Sequence, residues 1–337
     1  MKQLYIVFFL SLFSGASYAQ CCAVGGGSPL AGDASQGVLR ERQFEINSNF
    51  QYINSTNFLT EDKRDTNFLE RFSSKYVYSR FAYGLSDRLT MSVETGYWVD
   101  KTQIGIREGD TYDSKGIGDL ILFPRYNIIK ASAQNKFTEL TFGMGVKLPI
   151  GTYNDSIGRL EPFSGETLYS TMPPAVQTTS GAQDILLSLF YSGGLPGGKM
   201  KLSANLVYIL KGWNPLGEKL GNYASAGLFL GRNFQEKLNV ALQLKAEFIG
   251  SMLINPDVMM MSFPNYDPEA TGSKKLFVSP QLSYSAAGGL TLFAQTDFPV
   301  YQYVNKTQIA SQTQFTIGLT YRFLLRQTSV INPAGSI

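Results

Sequence analysis

The stretch at residues 43–53 reads Gln-Phe-Glu-Ile-Asn-Ser-Asn-Phe-Gln-Tyr-Ile, and it decides the fold of this chain. Successive side chains on a β-strand point to opposite faces. On one face the stretch would carry mainly apolar residues, and on the other it carries polar residues such as Glu45 as far as Gln51. A strand between lipid and a watery lumen shows this alternation over about ten residues. The stretch therefore predicts a transmembrane β-strand.

The same alternation returns along the chain. Residues 236–250 show it clearly, and residues 314–323 show it again up to an aromatic end at Phe323. Weaker versions fill the interval, which gives about twelve strands, and an even number returns both ends of the barrel to one side of the membrane. The predicted fold class is all-β: a transmembrane antiparallel up-and-down β-barrel of about twelve strands.

The predicted connections alternate in length, as the short turns and long external loops of outer-membrane barrels do. A soluble β-sandwich is the alternative, because its strands alternate as well. Predicted strands of about 11 to 14 residues are twice the usual soluble length of about 5–6, which favours the barrel. The short connections lie near residues 86–87, 130–135, 193–198, 233–235 and 288–289, and the long ones at 54–72, 100–115, 151–180, 212–222, 251–272 and 301–311.

The first residues predict an export signal. Lys2 precedes an apolar run over residues 4–13, and Ser17-Tyr18-Ala19 forms a small-x-small cleavage motif. No later stretch comes close to the run of about 20 apolar residues that a membrane-spanning helix requires. We predict a signal peptide at 1–19, a flexible periplasmic segment or plug at 20–42, the barrel at 43–325 and a tail at 326–337. The predicted location is the outer membrane of a Gram-negative bacterium.

Composition excludes several function classes. The chain has no histidine, the residue that most often serves as a catalytic base near neutral pH, so we do not expect an enzyme. The formal charge of +3, from 29 basic and 26 acidic residues, offers no excess that would attract nucleic acid. No cofactor is expected. The expected partners are outer-membrane lipid, a small-molecule solute and the barrel assembly machinery.

The two cysteines, Cys21 and Cys22, are adjacent and cannot staple distant parts of the fold. A lipid anchor at Cys21 is an alternative, but Gln20 stands where a small residue is usual. Together with the methionines of a predicted external loop, the two cysteines suggest a site for a soft metal ion, because thiolate and thioether ligands suit copper(I). The cysteines and that loop would lie on opposite sides of the membrane, so we expect no metal site. The methionines concerned are Met252, Met259, Met260 and Met261.

Three segments resemble the outer-membrane phenol-degradation meta-pathway transporter family, which is related to the FadL-like channels for hydrophobic compounds. They are Gly116-Ile117-Gly118-Asp119-Leu120 leading to Arg125-Tyr126, Gly143 to Gly151, and Ser180-Gly181-Ala182-Gln183-Asp184. The resemblance runs in order from about residue 70 onward. It implies a barrel that takes up or exports small molecules, apolar or aromatic ones among them.

Charged residues at inward positions are the candidate lumen residues. They could pair across a narrow barrel as a polar plug, line a small aqueous path, or simply fill the interior. We expect a channel or transporter for passive passage of a small solute; the alternative is a structural or partner-binding barrel with a blocked lumen. The candidates are Glu45, Arg80, Glu94, Asp119, Arg125, Lys147, Asp184, Lys211, Lys245, Glu247, Asp297 and Arg322.

Overall fold

A computed structural model describes residues 37–66, 69–106, 110–130, 138–161, 164–195, 200–234, 237–255 and 267–325. Two short 3-10 turns, Pro268–Ala270 and Ala287–Gly289, are the helical elements of these residues. The strands in chain order are β1 (Gln43–Ser55), β2 (Phe58–Glu61), β3 (Lys63–Asp65), β4 (Leu69–Ser86), β5 (Leu89–Gly105), β6 (Thr111–Ile129), β7 (Glu139–Pro149), β8 (Ser156–Leu160), β9 (Thr167–Thr171), β10 (Asp184–Gly194), β11 (Met200–Leu210), β12 (Glu218–Lys219), β13 (Tyr223–Phe234), β14 (Leu238–Ile249), β15 (Leu253–Ile254), β16 (Ser273–Ser285), β17 (Leu290–Ile309) and β18 (Gln314–Leu324).

One fourteen-stranded sheet closes on itself, and all of its strands except β2 and β3 form the ring. Each ring strand pairs antiparallel with its neighbour in the chain, and β1 pairs with β18 to close the circle. The predicted closed barrel of about twelve strands is thereby confirmed. We call the end where β1 begins and β18 ends the turn end, and the opposite end the loop end.

The outer face of the ring is apolar. Leu242 on β14 is 53% exposed and Ile317 on β18 is 58% exposed, while their polar neighbours in sequence point inward. Aromatic side chains gather near the turn end, where the Phe44 and Tyr83 rings lie 4.6 Å apart. Such a wall suits lipid, since membrane barrels present an apolar band flanked by aromatic girdles. No helix among the described residues is long and apolar enough to cross a membrane.

Several strands exceed the predicted length of about 11 to 14 residues. β4 has 18 residues, β5 has 17, β6 has 19 and β17 has 20. Pairing continues past the apolar zone through polar residues such as Ser73 opposite Thr102, because backbone hydrogen bonds do not depend on the side chains. The predicted loops at 54–72, 100–115 and 301–311 were therefore too long. The small pairs β2–β3, β8–β9 and β12–β15 lie within loops predicted without structure.

The end of the predicted flexible segment at 20–42 packs against the turn end. Leu39 is 4% exposed, and its amide donates to Thr90 Oγ1 at 2.8 Å. The neighbouring amide of Val38 donates to Glu139 Oε1 at 3.1 Å. Residues 37–42 thus contact β5 and β7, strands to which they are not directly joined. The predicted signal peptide, both cysteines and the tail at 326–337 lie outside the described residues.

Gly145 gives a first prediction. A Cβ on this residue of β7 would lie 2.5 Å from the Leu122 carbonyl oxygen and 2.5 Å from the Phe123 ring. Gly145→Ala should therefore lower the free energy of unfolding by about 1–3 kcal/mol, as overpacking does. Urea unfolding of each variant in lipid vesicles measures this loss of free energy. Gly231→Ala is the matched control, because its Cβ would make an ordinary contact of 3.5 Å with Ala241. Equal losses in the two variants would contradict the steric explanation.

Candidate solute-binding lumen

The structure places all twelve predicted lumen residues at the inner side of the ring, where most of them form three charged clusters. The first lies near the turn end and joins β1, β4 and β18. Glu45 accepts hydrogen bonds from Arg80 Nη2 at 2.8 Å and from Arg322 Nε at 2.7 Å. Both carboxylate oxygens of Glu45 are therefore engaged, and the positive charge of Arg125 adds to the attraction. This cluster connects the first and last strands of the barrel.

Glu94 lies beside this first cluster on β5. It accepts hydrogen bonds from the Tyr78 hydroxyl at 2.5 Å and from Ser92 Oγ at 2.8 Å. Its side chain is buried, so these two donors supply the hydrogen bonds that water would give an exposed carboxyl group.

The second cluster runs around the wall near the loop end, and we call it the charge belt: Asp119, Lys147, Asp184 and Lys211. Lys147 Nζ lies 2.7 Å from Asp119 Oδ2 and 2.8 Å from Asp184 Oδ2, and Lys211 Nζ lies 2.9 Å from Asp184 Oδ2. The belt joins β6, β7, β10 and the residue directly after β11. Two ammonium groups face two carboxylates, so the belt carries no net charge.

The third cluster lies on β14 and β17. Lys245 Nζ lies 3.0 Å from Asp297 Oδ2 and 3.3 Å from Glu247 Oε1. Gln295 and Tyr223 donate further hydrogen bonds to the two carboxylates, at 2.7 and 3.2 Å. Lys245 also lies over the Phe277 ring, with Nζ 4.8 Å from its centroid. The three clusters thus place paired charges at separate parts of the inner wall.

Residues 172–182, which we call the inward segment, fold into the loop end of the lumen. Val176 is fully buried, and Ala175 packs in an apolar cluster with Ile53 and Phe72 of the wall. Trp98 Nε1 donates to the Thr178 carbonyl at 2.9 Å, and Lys101 Nζ to the Gln177 carbonyl at 2.6 Å. The prediction of an external loop over the whole of 151–180 was therefore wrong for its last part, because its apolar and hydroxyl-bearing side chains find partners inside.

Loop residues outside the ring help to hold this segment. Asn214 Nδ2 donates to the Ser180 carbonyl at 3.1 Å and also to Glu218 Oε2 at 3.1 Å. Burial raises the pKa of Glu218 above its usual range, although the hydrogen bond from Asn214 opposes the shift. The β11–β13 loop thus fixes the end of the inward segment at the loop end.

A cavity of about 270 Å³ lies between the inward segment and the wall. Its lining is largely apolar and aromatic, with the charge belt at one side. The aromatic part includes Tyr76 and Trp98, whose ring centroids lie 4.2 Å apart. Gly96 makes room for this pair, because a Cβ there would lie 1.8 Å from the Tyr76 hydroxyl oxygen. The main side chains of the lining are Ile53, Tyr76, Tyr78, Trp98, Ile121, Leu186, Ile209, Tyr223, Ile249 and Met252, together with Lys101, Asp119, Lys147 and Lys211.

Part of the inner wall is apolar, which the alternation did not predict. Ile121 and Phe123 on β6 pack with Leu186 on β10 and with Val207 and Ile209 on β11. The signal was present in the sequence: residues 120–123 and 206–210 are uninterrupted apolar runs, as in strands buried on both faces. The lumen therefore combines charged clusters with an apolar part of the wall, which lies on the same strands as the charge belt and two residues nearer the turn end.

The described residues hold no group of three or more His, Cys, Asp or Glu side chains that could bind a metal ion. Met252 is buried and lines the cavity. Cys21, Cys22 and Met259 to Met261 lie outside the described residues.

Comparison with solved structures shows the same barrel fold in an outer membrane channel from Pseudomonas putida F1. That protein is 13% identical, and the match covers 86% of this chain and 99% of the other at a TM-score of 0.64. The β-domain of the Bordetella autotransporter BrkA is 11% identical over 84% of this chain and 100% of that one, with a TM-score of 0.47. The P. putida toluene transporter TodX is 11% identical over 84% and 90%, with a TM-score of 0.40. No family model and no curated protein matches the sequence.

Proposed function

We propose that this chain is exported to the outer membrane and there lets a small, predominantly apolar solute pass passively through its barrel. The observation that carries the proposal is the cavity beneath the inward segment. Ligand sites are mostly apolar concavities with a few polar groups that fix orientation, and sites of about 300 Å³ suit small molecules. The cavity adjoins the apolar part of the inner wall, which would continue the path for such a solute. The shared fold with a solved outer membrane channel agrees with this role.

The charged clusters explain why the proposed solute is not a hydrophilic one. The charged groups of the first cluster and of the belt bind one another inside the ring, so a hydrophilic solute would have to replace these pairs. A solute with an apolar body would instead bind at the cavity and follow the part of the wall formed by Ile121, Phe123 and Leu186. We place the loop end outside the cell, because the long loops of outer-membrane barrels are external. The solute would therefore enter beside the inward segment.

A barrel that binds a partner through its loops and has a blocked lumen is the second candidate. The observation in its favour is that the inward segment crosses the loop end and is held there by Trp98 and Lys101. In such a blocked barrel the cavity would be a closed packing defect, and no solute would cross the membrane.

Solute uptake by the wild-type chain and by a variant with a shortened inward segment distinguishes the two functions. Replacing residues 173–179 with Gly-Ser-Gly removes the buried Ala175 and Val176 along with the hydrogen bonds to Trp98 and Lys101. We expect faster uptake of a small apolar solute into liposomes than with the wild-type chain, because one wall of the cavity is lost. The matched control shortens the exposed hairpin β8–β9 in the same loop, and its uptake should equal that of the wild type.

Heat-modifiable gel migration would establish that each protein is a folded barrel. If the folded wild type transports no solute and shows no conductance, then the blocked barrel is the correct function, and uptake by the shortened variant alone would identify the inward segment as the block. Passage in the wild type alone already supports the channel.

A further inference from the structure

We infer that the proposed solute carries an uncharged hydrogen-bonding head, such as an alcohol hydroxyl, that binds the charge belt while its apolar body occupies the cavity. The inference deepens the proposed function and rests on it. It depends on which polar atoms the belt presents to the cavity and on the balance of charge around them.

The belt offers both a donor and an acceptor. Lys211 lines the cavity, and an ammonium has three N–H donors, of which one is directed at Asp184 Oδ2. At the other end of the belt Asp119 also lines the cavity, and its Oδ1 has no hydrogen-bond partner among the described residues, because Lys147 binds Oδ2. A hydroxyl can accept from an ammonium or donate to a carboxylate. An alcohol head therefore finds a partner at either end of the belt.

Charged heads are disfavoured at the same place. A carboxylate would lie beside Asp119, and an ammonium beside Lys147 and Lys211, so each meets like charge as well as opposite charge. Either ion would also lose its hydration in a site where the belt provides no compensating net charge. Lys101, the remaining lysine of the lining, adds a positive charge, but its ammonium is directed at the Gln177 carbonyl of the inward segment and lies over the Trp98 ring, with Nζ 4.4 Å from its centroid.

The aromatic part of the lining defines the body of the solute. Tyr76 and Trp98 form a tilted pair, and Ile121, Leu186 and Ile209 provide apolar contacts on the other side. Aromatic faces bind flat rings and compact hydrocarbon groups well. The solute class is therefore a small alcohol with a ring or a branched apolar body.

Trp98 provides the readout. The chain has two tryptophans, and the other, Trp213, is half exposed outside the cavity. Trp213→Phe leaves Trp98 as the single tryptophan in the cavity wall, so a change in its fluorescence reports occupancy. The protein is studied in lipid nanodiscs, with empty nanodiscs as the blank for partitioning. The probes share one ring and differ in the head: benzyl alcohol, toluene, benzoate and benzylamine.

We expect benzyl alcohol to bind about tenfold more tightly than toluene, which corresponds to about 1.4 kcal/mol, and more tightly than either charged probe. Lys211→Met, in which Asp184 keeps Lys147, should weaken the binding of the alcohol and leave that of toluene unchanged; Lys211→Arg should restore it. Lys274→Met, on the exposed outer face, is the matched control and should change neither.

Tighter binding of toluene, benzoate or benzylamine than of benzyl alcohol by the wild-type cavity would overturn the inference, whether or not the Lys211 variants fold. Equal binding of all four probes would also overturn it but would leave the proposed function standing. Binding of none of them to a folded barrel would overturn both.

Discussion

Glu45→Ala should destabilise the barrel by about 3–5 kcal/mol, the usual cost of removing one partner from a buried ion cluster. Glu45 and Arg80 are each 1% exposed, and Arg322 donates to the second carboxylate oxygen. Alanine would leave the buried Arg80 guanidinium without the carboxylate oxygen that accepts from its Nη2 at 2.8 Å and from its Nε at 3.2 Å. The midpoint of urea unfolding in lipid vesicles measures the loss.

The exposed pair Glu41–Arg42 provides the matched control. Its charged atoms lie 3.5 Å apart, and the two side chains are 56% and 45% exposed. Glu41→Ala should cost about 0–1 kcal/mol, because water and salt screen such pairs. If the two glutamate variants unfold at the same urea concentration, then the first cluster does not stabilise the fold.

Asp184→Ala should also cost about 3–5 kcal/mol, since this carboxylate is the centre of the charge belt. Its side chain is completely buried and binds Lys147, Lys211 and the Gly212 amide. Without it Lys211 loses its carboxylate partner, and two ammonium groups remain close together in the wall. The same unfolding measurement applies.

Asp119→Ala removes the carboxylate at one end of the belt, and its loss of stability is compared with that of Asp184→Ala. Lys147 then keeps Asp184 at 2.8 Å, so no ammonium is left without a carboxylate. The loss should be clearly smaller than for Asp184→Ala. A larger loss for Asp119→Ala would show that the belt is not organised around Asp184.

The strand pattern could be predicted from the sequence because lipid and lumen impose opposite chemistry on alternate residues. Residues 43–53 show this directly, and the observed β1 has the expected faces. The inward charges follow from the same rule, and the structure places each of them at the inner side. Their part in solute passage remains a prediction.

The cavity could not be predicted from alternation, because it depends on contacts between residues distant in sequence. Val176 lies in a stretch with no strand periodicity, and its carbonyl accepts a hydrogen bond from Ser114 of β6, 62 residues earlier in the chain. Leu186 and Ile209 are two residues from the inward charges Asp184 and Lys211, so alternation places them on the inner face but does not show that they contact one another. Only the register of neighbouring strands decides which inward residues meet.

The seam between the first and last strands has a consequence for assembly. Arg322 and Glu45 are 277 residues apart in sequence, yet they share a hydrogen bond across the junction of β1 and β18. Before β18 docks, Glu45 has Arg80 alone, and one of its oxygens must be hydrated. The docking of the final strand removes that water and completes the pairing of the carboxylate. The ion pairing of Glu45 is therefore complete only in the closed barrel. A sheet that lacks its last strand would carry an incompletely paired charge into the bilayer.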